Sequence, residues 1–279
     1  MTVARGGGAA FSAEDVAGEL ARAGVGNVAL CLHSSLSSFR HLEDGPASVV
    51  DALVLRRVTV LVPAFSWDAF AVWPPPAHLR PDRNGTSYAG VISQETGSAF
   101  APGCGEIDAD MGAIPKEILG RSTHIRGDHP LCSFAALGPG AVSLVGQQTW
   151  LDVHAPLAVL VERGGLVALA GVGLDRMTLI HLAEQRAGRT PFRRWARAAD
   201  GPVQMVSVGG CSEGFGNLEP VLAPLGRSVM IAGSTWRIFP AAVALAAAVS
   251  AIRADPRITH CAGLSCERCN DAVSGGPIV

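Results

Sequence analysis

No stretch of this sequence reaches the ~18 consecutive apolar residues that a membrane-spanning helix needs, although hydrophobic residues make up 48% of its 279 positions. The richest run, Phe239 to Ile252, is mostly alanine and reads as a buried amphipathic helix ending at Arg253. Positive charge is not in surplus either. Lys and Arg number 22 against 24 Asp and Glu, a formal net charge of −2, which argues against a nucleic-acid partner because that would call for a basic face. The N-terminus lacks the basic-then-apolar plan of a secretion signal, so a cytoplasmic location is expected. There the seven cysteines stay reduced, and their spacing bears on metal binding more than on disulfides. With neither an internal repeat nor an interdomain linker in view, residues 1–279 read as one α/β domain with a Cys-rich tail over 260–279.

What is present alternates between strand and helix signals. Ser12-Ala-Glu-Asp15 has the form of a helix N-cap followed by acidic residues, and Gly24 marks the stop. Val28 to Leu32 reads as a buried strand, Gly45-Pro46 opens a helix reaching Leu55, and Val58 to Val62 is a second strand closed by Pro63. That β-α-β order predicts a parallel pair with a right-handed crossover. From Phe65 to Gly112 the pattern breaks into a long irregular stretch rich in proline, and long loops in compact domains tend to be functional. Short helices at Ile114–Leu119 and Pro156–Glu162 follow, with later strands at Val203–Val208 and Val229–Ile231.

The most informative segment runs from Gly171 to Glu184. A short apolar strand, Val167–Ala170, meets a turn with Gly171 and Gly173, and a helical period then places Thr178, His181 and Glu184 on one side. A base and a carboxylate could thus share one cleft; the alternative is a solvated pair, with Thr178 serving as the helix N-cap. Ser34, Ser35, Ser37 and Ser38 directly follow the strand at 28–32, where hydroxyls and free N–H groups can meet phosphates, as ligands in open α/β sheets often do.

Three blocks in register carry a resemblance: Cys31-Leu-His33-Ser34-Ser35-Leu36-Ser37-Ser38, the block Arg126-Gly-Asp-His129-Pro130-Leu-Cys-Ser133-Phe134 running to Pro139, and Gly171 to Gly188 with His181-Leu-Ala-Glu184. In order and spacing they resemble the aminoglycoside 3-N-acetyltransferase family from about Phe11 to the C-terminus. The resemblance implies a layered α/β/α mixed sheet and direct acetyl transfer from acetyl-CoA to an amine, specifically the 3-amino group of an aminoglycoside. It lays His33 to Ser38 along the CoA arm and makes His181 the base. An ammonium cannot attack a thioester, and imidazole is the side chain suited to take its proton near neutral pH. Glu184, or alternatively Asp175, would orient that imidazole, and Thr178 could hydrogen-bond the oxyanion or the leaving thiolate. Arg126 is the cationic candidate for a CoA phosphate, and Ser133 and Phe134 are assigned to the donor site with it. His129-Pro130 is expected to shape the junction between acceptor and thioester, or to be a buried structural histidine. On the acceptor side Trp67 and Trp73 could be platforms for a sugar ring, and Asp68, Asp82, Glu95, Glu106, Asp108 and Asp110 could hold ammonium groups.

Near the C-terminus, His260-Cys261 precedes Cys266-Glu-Arg-Cys269. With Cys211 from a distance, His260, Cys266 and Cys269 would make a tetrahedral structural zinc site, with Cys261 as the alternative to His260. Relatives acting on apramycin-like and gentamicin-like drugs resemble the chain in this spacing and in Leu42-Glu-Asp-Gly-Pro46. Cys31, Cys104 and Cys132 read as core or loop residues. Departures from the family text fall at Asp51–Val58, at Trp67–Asp110 and at Asp152-Val-His154-Ala-Pro156, all on acceptor-side surfaces. Acylation of another amino metabolite is therefore a second reading and a non-catalytic binding protein a third, and the sequence leaves open whether the chain forms a homodimer.

Overall fold

The computed structural model describes residues 9–73, 75, 77–91, 97–199 and 201–278. Its strands, in chain order, are β1 (Ala29–Ser34), β2 (Thr59–Pro63), β3 (Ala99–Phe100), β4 (Ile125–Arg126), β5 (Phe134–Leu137), β6 (Leu166–Ala170), β7 (Phe192–Ala198), β8 (Val203–Val208), β9 (Arg227–Ile231) and β10 (Ser234–Pro240). The helices are α1 (Ala13–Arg22), α2 (Pro46–Leu55), α3 (Trp67–Phe70), α4 (Ala113–Leu119), α5 (Ala141–Val145), α6 (Ala155–Glu162), α7 (Leu179–Arg186), α8 (Glu219–Leu222), α9 (Ala241–Ala254) and α10 (Glu267–Val273).

Period two in the apolar strands builds the layers. Leu30 and Leu32 of β1, Val60 and Val62 of β2 and Ala168 and Ala170 of β6 point into one hydrophobic cluster with α1, α2 and α4. The intervening Cys31, Leu61, Val167 and Leu169 point into the other, with α5, α6, α7 and α9. The result is a three-layer α/β/α arrangement around a sheet of order β4-β5-β2-β1-β6-β10-β9. Its centre, β2-β1-β6, is parallel as the β-α-β pattern predicts, and both flanks are antiparallel. A smaller sheet of order β3-β7-β8 covers a third cluster that includes Phe70, Phe100 and Phe192. None of the described helices is long and apolar enough to cross a membrane.

The predicted cap at Ser12 is present. Ser12 Oγ accepts from the Asp15 N–H at 3.1 Å and the Asp15 carboxylate accepts from the Ser12 N–H at 3.0 Å, an arrangement that stabilises a helix start by about 1 kcal/mol. Five strands escape the sequence pattern: the two-residue β3 and β4, and β5, β7 and β10. β7 carries Arg193, Arg194 and Arg197, so its buried positions Phe192, Trp195 and Ala196 do not alternate cleanly. β5 lies within the Arg126–Pro139 block, and β10 ends at Pro240, so the alanine-rich helix starts at Ala241, not at Phe239. β9 and β10 form a hairpin through Ala232 and Gly233, with φ of 46° and 76°, the paired positive values of a tight hairpin turn.

Candidate active site

The parallel strands β1 and β6 leave a crevice beyond their C-terminal ends, which is where open α/β sheets place ligands. A cleft of about 790 Å³ opens there, within the range of small-molecule sites. His33, Ser34, Ser35 and Leu36 line its wall. Ser37 and Ser38 are turned aside: Ser35 and Ser37 hydroxyls lie 2.9 Å apart, and Ser38 Oγ donates to the Ser35 carbonyl at 2.7 Å and lies 2.7 Å from Ser234 Oγ. Gly171, at φ 68°, is needed for this packing, since a Cβ there would lie 2.2 Å from Ser38.

From the exit of β6 the chain passes through a 3-10 turn, Leu174–Arg176, into α7. Thr178 and His181 face the cleft. The Thr178 side chain makes no capping bond, so its hydroxyl is available to the cleft. His181 Nδ1 lies 2.9 Å from Glu184 Oε2. Glu184 is fixed in turn, since its Oε1 accepts from Thr259 Oγ1 at 2.9 Å and from Arg189 Nη1. Of the two carboxylates considered as partners of His181, the structure therefore selects Glu184. Asp175 lines the cleft but faces Arg176 at 3.4 Å on an exposed turn.

His181 is packed on both sides. Phe215 meets it edge-on at a centroid distance of 4.8 Å, and the His154 ring stacks on it at 6.0 Å with planes 13° apart. His154 is 3% exposed, and its Nδ1 lies 3.1 Å from Gln185 Oε1. Burial, reinforced by the neighbouring His181, lowers its pKa to about 3, so it is a neutral ring. Desolvation likewise lowers His33 to about 4, with Arg176 adding to it.

Arg126 does not reach the cleft. Its guanidinium donates to Ser133 Oγ (2.9 Å), the Cys104 carbonyl (2.9 Å), the Ala64 carbonyl (2.9 Å) and Ser66 Oγ (3.1 Å). Ser133 is fully buried and donates to Ala64 as well. Both belong to the join between β2 and β5, not to a phosphate site, because every donor is already used inside the protein. Phe134 does contribute to the cleft wall. Replacing Arg126 with methionine is expected to lower stability by about 3 kcal/mol, since several acceptors lose a charged donor, while leaving affinity for CoA unchanged; urea unfolding and calorimetry check the two halves.

His129 is the structural histidine of the two readings. Its Nδ1 accepts from the N–H groups of Leu131 (3.2 Å) and Cys132 (2.9 Å), leaving Nε2 to donate to the Ser207 carbonyl at 2.8 Å. Cys132 lines the cleft but is buried, and burial pushes its thiol far above the ordinary range, which disfavours a thiolate nucleophile. Trp67 faces the cleft, whereas Trp73 packs on Tyr88 at 5.5 Å. Of the acidic residues, Asp110 lines the cleft and Asp108 accepts from the Trp67 and Asp68 N–H groups at 2.8 and 3.0 Å. Asp68, Asp82 and Glu106 are not in the wall, and Glu95 lies outside the described residues.

Behind the cleft, the sulfurs of Cys211, Cys261, Cys266 and Cys269 lie within 4.8 Å of one another. His260 is not among them. Its Nδ1 is 2.8 Å from the Cys261 carbonyl and its Nε2 is 3.0 Å from Asn270 Oδ1, so the adjacent Cys261 takes the fourth corner. Tetrahedral coordination at a zinc–sulfur distance of ~2.3 Å needs sulfurs about 3.8 Å apart, a spacing compatible with four thiols that all lie within 4.8 Å of one another.

The family model for aminoglycoside 3-N-acetyltransferases matches residues 31–252 of this chain. The chain belongs to that family. It is 31% identical to aminoglycoside N(3)-acetyltransferase VIII of Streptomyces fradiae over 197 residues, 67% of this chain and 63% of that protein. Across curated relatives the match spans 53% to 63% of their own length. Among solved structures, the apoenzyme of aminoglycoside acetyltransferase AAC(3)-IVa superposes with a TM-score of 0.75 at 25% identity, covering 97% of this chain and 100% of that one. AAC-IIIb, solved as a binary complex with CoASH, shares the fold at a TM-score of 0.71 and 23% identity, covering 88% of this chain and 97% of that one.

Proposed function

We propose that the chain transfers an acetyl group from acetyl-CoA to an amino group of an aminoglycoside-type acceptor, the 3-amino group of a deoxystreptamine ring being the expected position. The observation that carries this reading is the His181–Glu184 pair, held by Thr259 and Arg189 and open to the cleft. The hydrogen bond from Nδ1 to Glu184 sets the tautomer that leaves Nε2 as the proton acceptor. His181 takes a proton from the acceptor ammonium, and the freed amine attacks the thioester carbonyl carbon. The proton on His181 is released to solvent, the ring takes a second proton from the nitrogen of the tetrahedral intermediate, and as the carbon–sulfur bond breaks that proton passes to the departing sulfur, giving amide and free CoA. Thr178, one turn before His181, is the hydroxyl available to the oxyanion. His33 to Leu36 at the end of β1 would hold the donor's arm. The amide is neutral, so an aminoglycoside modified in this way loses a charge with which it pairs phosphates.

Thiol release from acetyl-CoA, measured against aminoglycosides and smaller amino sugars with mass spectrometry of the products, tests the reading. One acetyl group on an acceptor nitrogen is the expected result; no product from any amine in the panel would overturn it.

A structural zinc ion at Cys211, Cys261, Cys266 and Cys269 belongs to the same proposal. Four thiolates close the coordination shell, so the metal supplies no Lewis acid to the reaction. It would tie the loop that packs on His181 to α10.

A further inference from the structure

Two imidazoles border the cleft beside α7. His154 and His181 both line it, with their rings parallel to within 13° at a centroid distance of 6.0 Å. Consecutive residues of α7 hold them: Glu184 Oε2 lies 2.9 Å from the Nδ1 of His181, and Gln185 Oε1 lies 3.1 Å from the Nδ1 of His154. The two partners differ in charge, and that sets the rings different tasks. A carboxylate stabilises an imidazolium strongly and a neutral amide oxygen far less. Burial, with His181 and His129 as neighbours, keeps His154 uncharged.

Because the Nδ1–H of His154 donates to Gln185 Oε1, the lone pair of this neutral ring lies on Nε2. No described residue bonds that atom, although His154 is buried and buried polar atoms ordinarily have partners. Its direction follows from two cavities that meet at the rings. Glu184 and Gln185 line a separate space of about 20 Å³ and are not in the cleft wall, so the Nδ1 edges face that space and the Nε2 edges face the cleft. A lone pair there calls for a hydrogen-bond donor. The thioester group offers only acceptor atoms, whereas an ammonium nitrogen has three N–H groups, of which His181 takes one. Two N–H···N bonds of ~2.9 Å from one tetrahedral nitrogen reach acceptors about 5 Å apart, a span comparable with the separation of the two rings.

We propose that His154 is a second catalytic residue of this site: its Nε2 accepts an N–H of the reacting amine and turns the nitrogen lone pair toward the thioester once His181 has taken the first proton. This rests on the acetyl-transfer reading, which supplies the amine. No covalent bond to His154 forms or breaks, and the ring stays neutral throughout. His154 lies within Asp152–Pro156, one of the segments where the chain departs from the family text, so the contact is a feature of this chain's own acceptor side.

Nuclear magnetic resonance of protein labelled with nitrogen-15 histidine tests the contact without turnover. The Nε2 resonance of His154, assigned by its absence in His154→Phe, is expected to move upfield when gentamicin is added in the presence of CoA, as an acceptor nitrogen does on receiving a hydrogen bond. Kinetics and calorimetry supply the second arm. His154→Phe keeps a ring against His181 and removes the acceptor. It should lower kcat/KM for gentamicin by about tenfold to a hundredfold, the size of one hydrogen bond to a charged group, weaken gentamicin binding, and leave the KM for acetyl-CoA unchanged. If the phenylalanine variant does not fold, His154→Leu serves both purposes. A fall in kcat with gentamicin affinity unchanged would make His154 a support for His181 alone and overturn the contact. An Nε2 resonance that stays in place, or gentamicin that fails to bind, would overturn it as well. Movement of the resonance with no thiol release from any amine would sink acetyl transfer and leave the contact standing, and thiol release with an unmoved resonance would do the reverse.

Discussion

Replacing His181 by alanine is expected to lower kcat for acetyl transfer about a thousandfold, the size of effect that loss of a positioned general base produces, with the Michaelis constants for both substrates changing only a few-fold. The reason is geometric. His154 is the other imidazole stacked at the site, and it is buried, neutral and hydrogen-bonded to Gln185, so it cannot substitute as an acceptor of the ammonium proton at neutral pH. The two carboxylates near the helix should respond differently. Glu184→Gln removes the charge that faces Nδ1 and should cost roughly tenfold or more, whereas Asp175→Asn, whose side chain pairs with Arg176, should cost little. Thiol release by each variant, with a thermal melt to confirm folding, makes the comparison. A His181→Ala rate within a few-fold of the parent would remove the imidazole from the reaction.

Removing the zinc ion proposed for the cysteine cluster is expected to be the most damaging change to stability. The four cysteines join segments distant in the chain: Cys211 belongs to the 209–215 loop, and Cys261, Cys266 and Cys269 to the C-terminal segment. That loop packs on the His181 ring, for a Cβ added at Gly209 would lie 2.8 Å from His181 Cδ2. The C-terminal segment is tied to the same place through Thr259 and Glu184 and through Asn217, whose Nδ2 donates to the His260 carbonyl at 3.1 Å. A closed thiolate site contributes directly to folding free energy, and we expect chelation or Cys269→Ser to lower the melting temperature by roughly 10 °C, the equivalent of a few kcal/mol in a domain of this size. Elemental analysis should find about one zinc per chain, and His260→Ala should retain it. Metal content far below that level in freshly purified protein would contradict the site, as would a melt indifferent to chelator.

Features set by short-range geometry are legible in the amino-acid order. The capping box at Ser12 and Asp15 depends on a spacing of three residues. The central strands could be found because burial on both faces makes Leu30–Leu32, Val60–Val62 and Val167–Ala170 continuous apolar runs. The pairing of His181 with Glu184 is a consequence of helical period. Partner choice between distant segments was not legible in that way. Arg126 has the composition of a phosphate ligand, yet its fork is spent on Ala64, Ser66, Cys104 and Ser133. Nothing in the spacing around position 126 announces those acceptors.

The amino-acid order alone thus determined the sheet's central strands, the turn at Gly171 and the His181–Glu184 pair, because each is governed by interactions a few residues apart. Tertiary structure decided that Glu184 and not Asp175 faces the imidazole, that Cys261 and not His260 joins the sulfur cluster, and that His154 stacks on His181. Those outcomes depend on which segments the 209–215 loop and α10 bring together. Such packing follows from burial and chain closure over the whole domain, and no local periodicity encodes it.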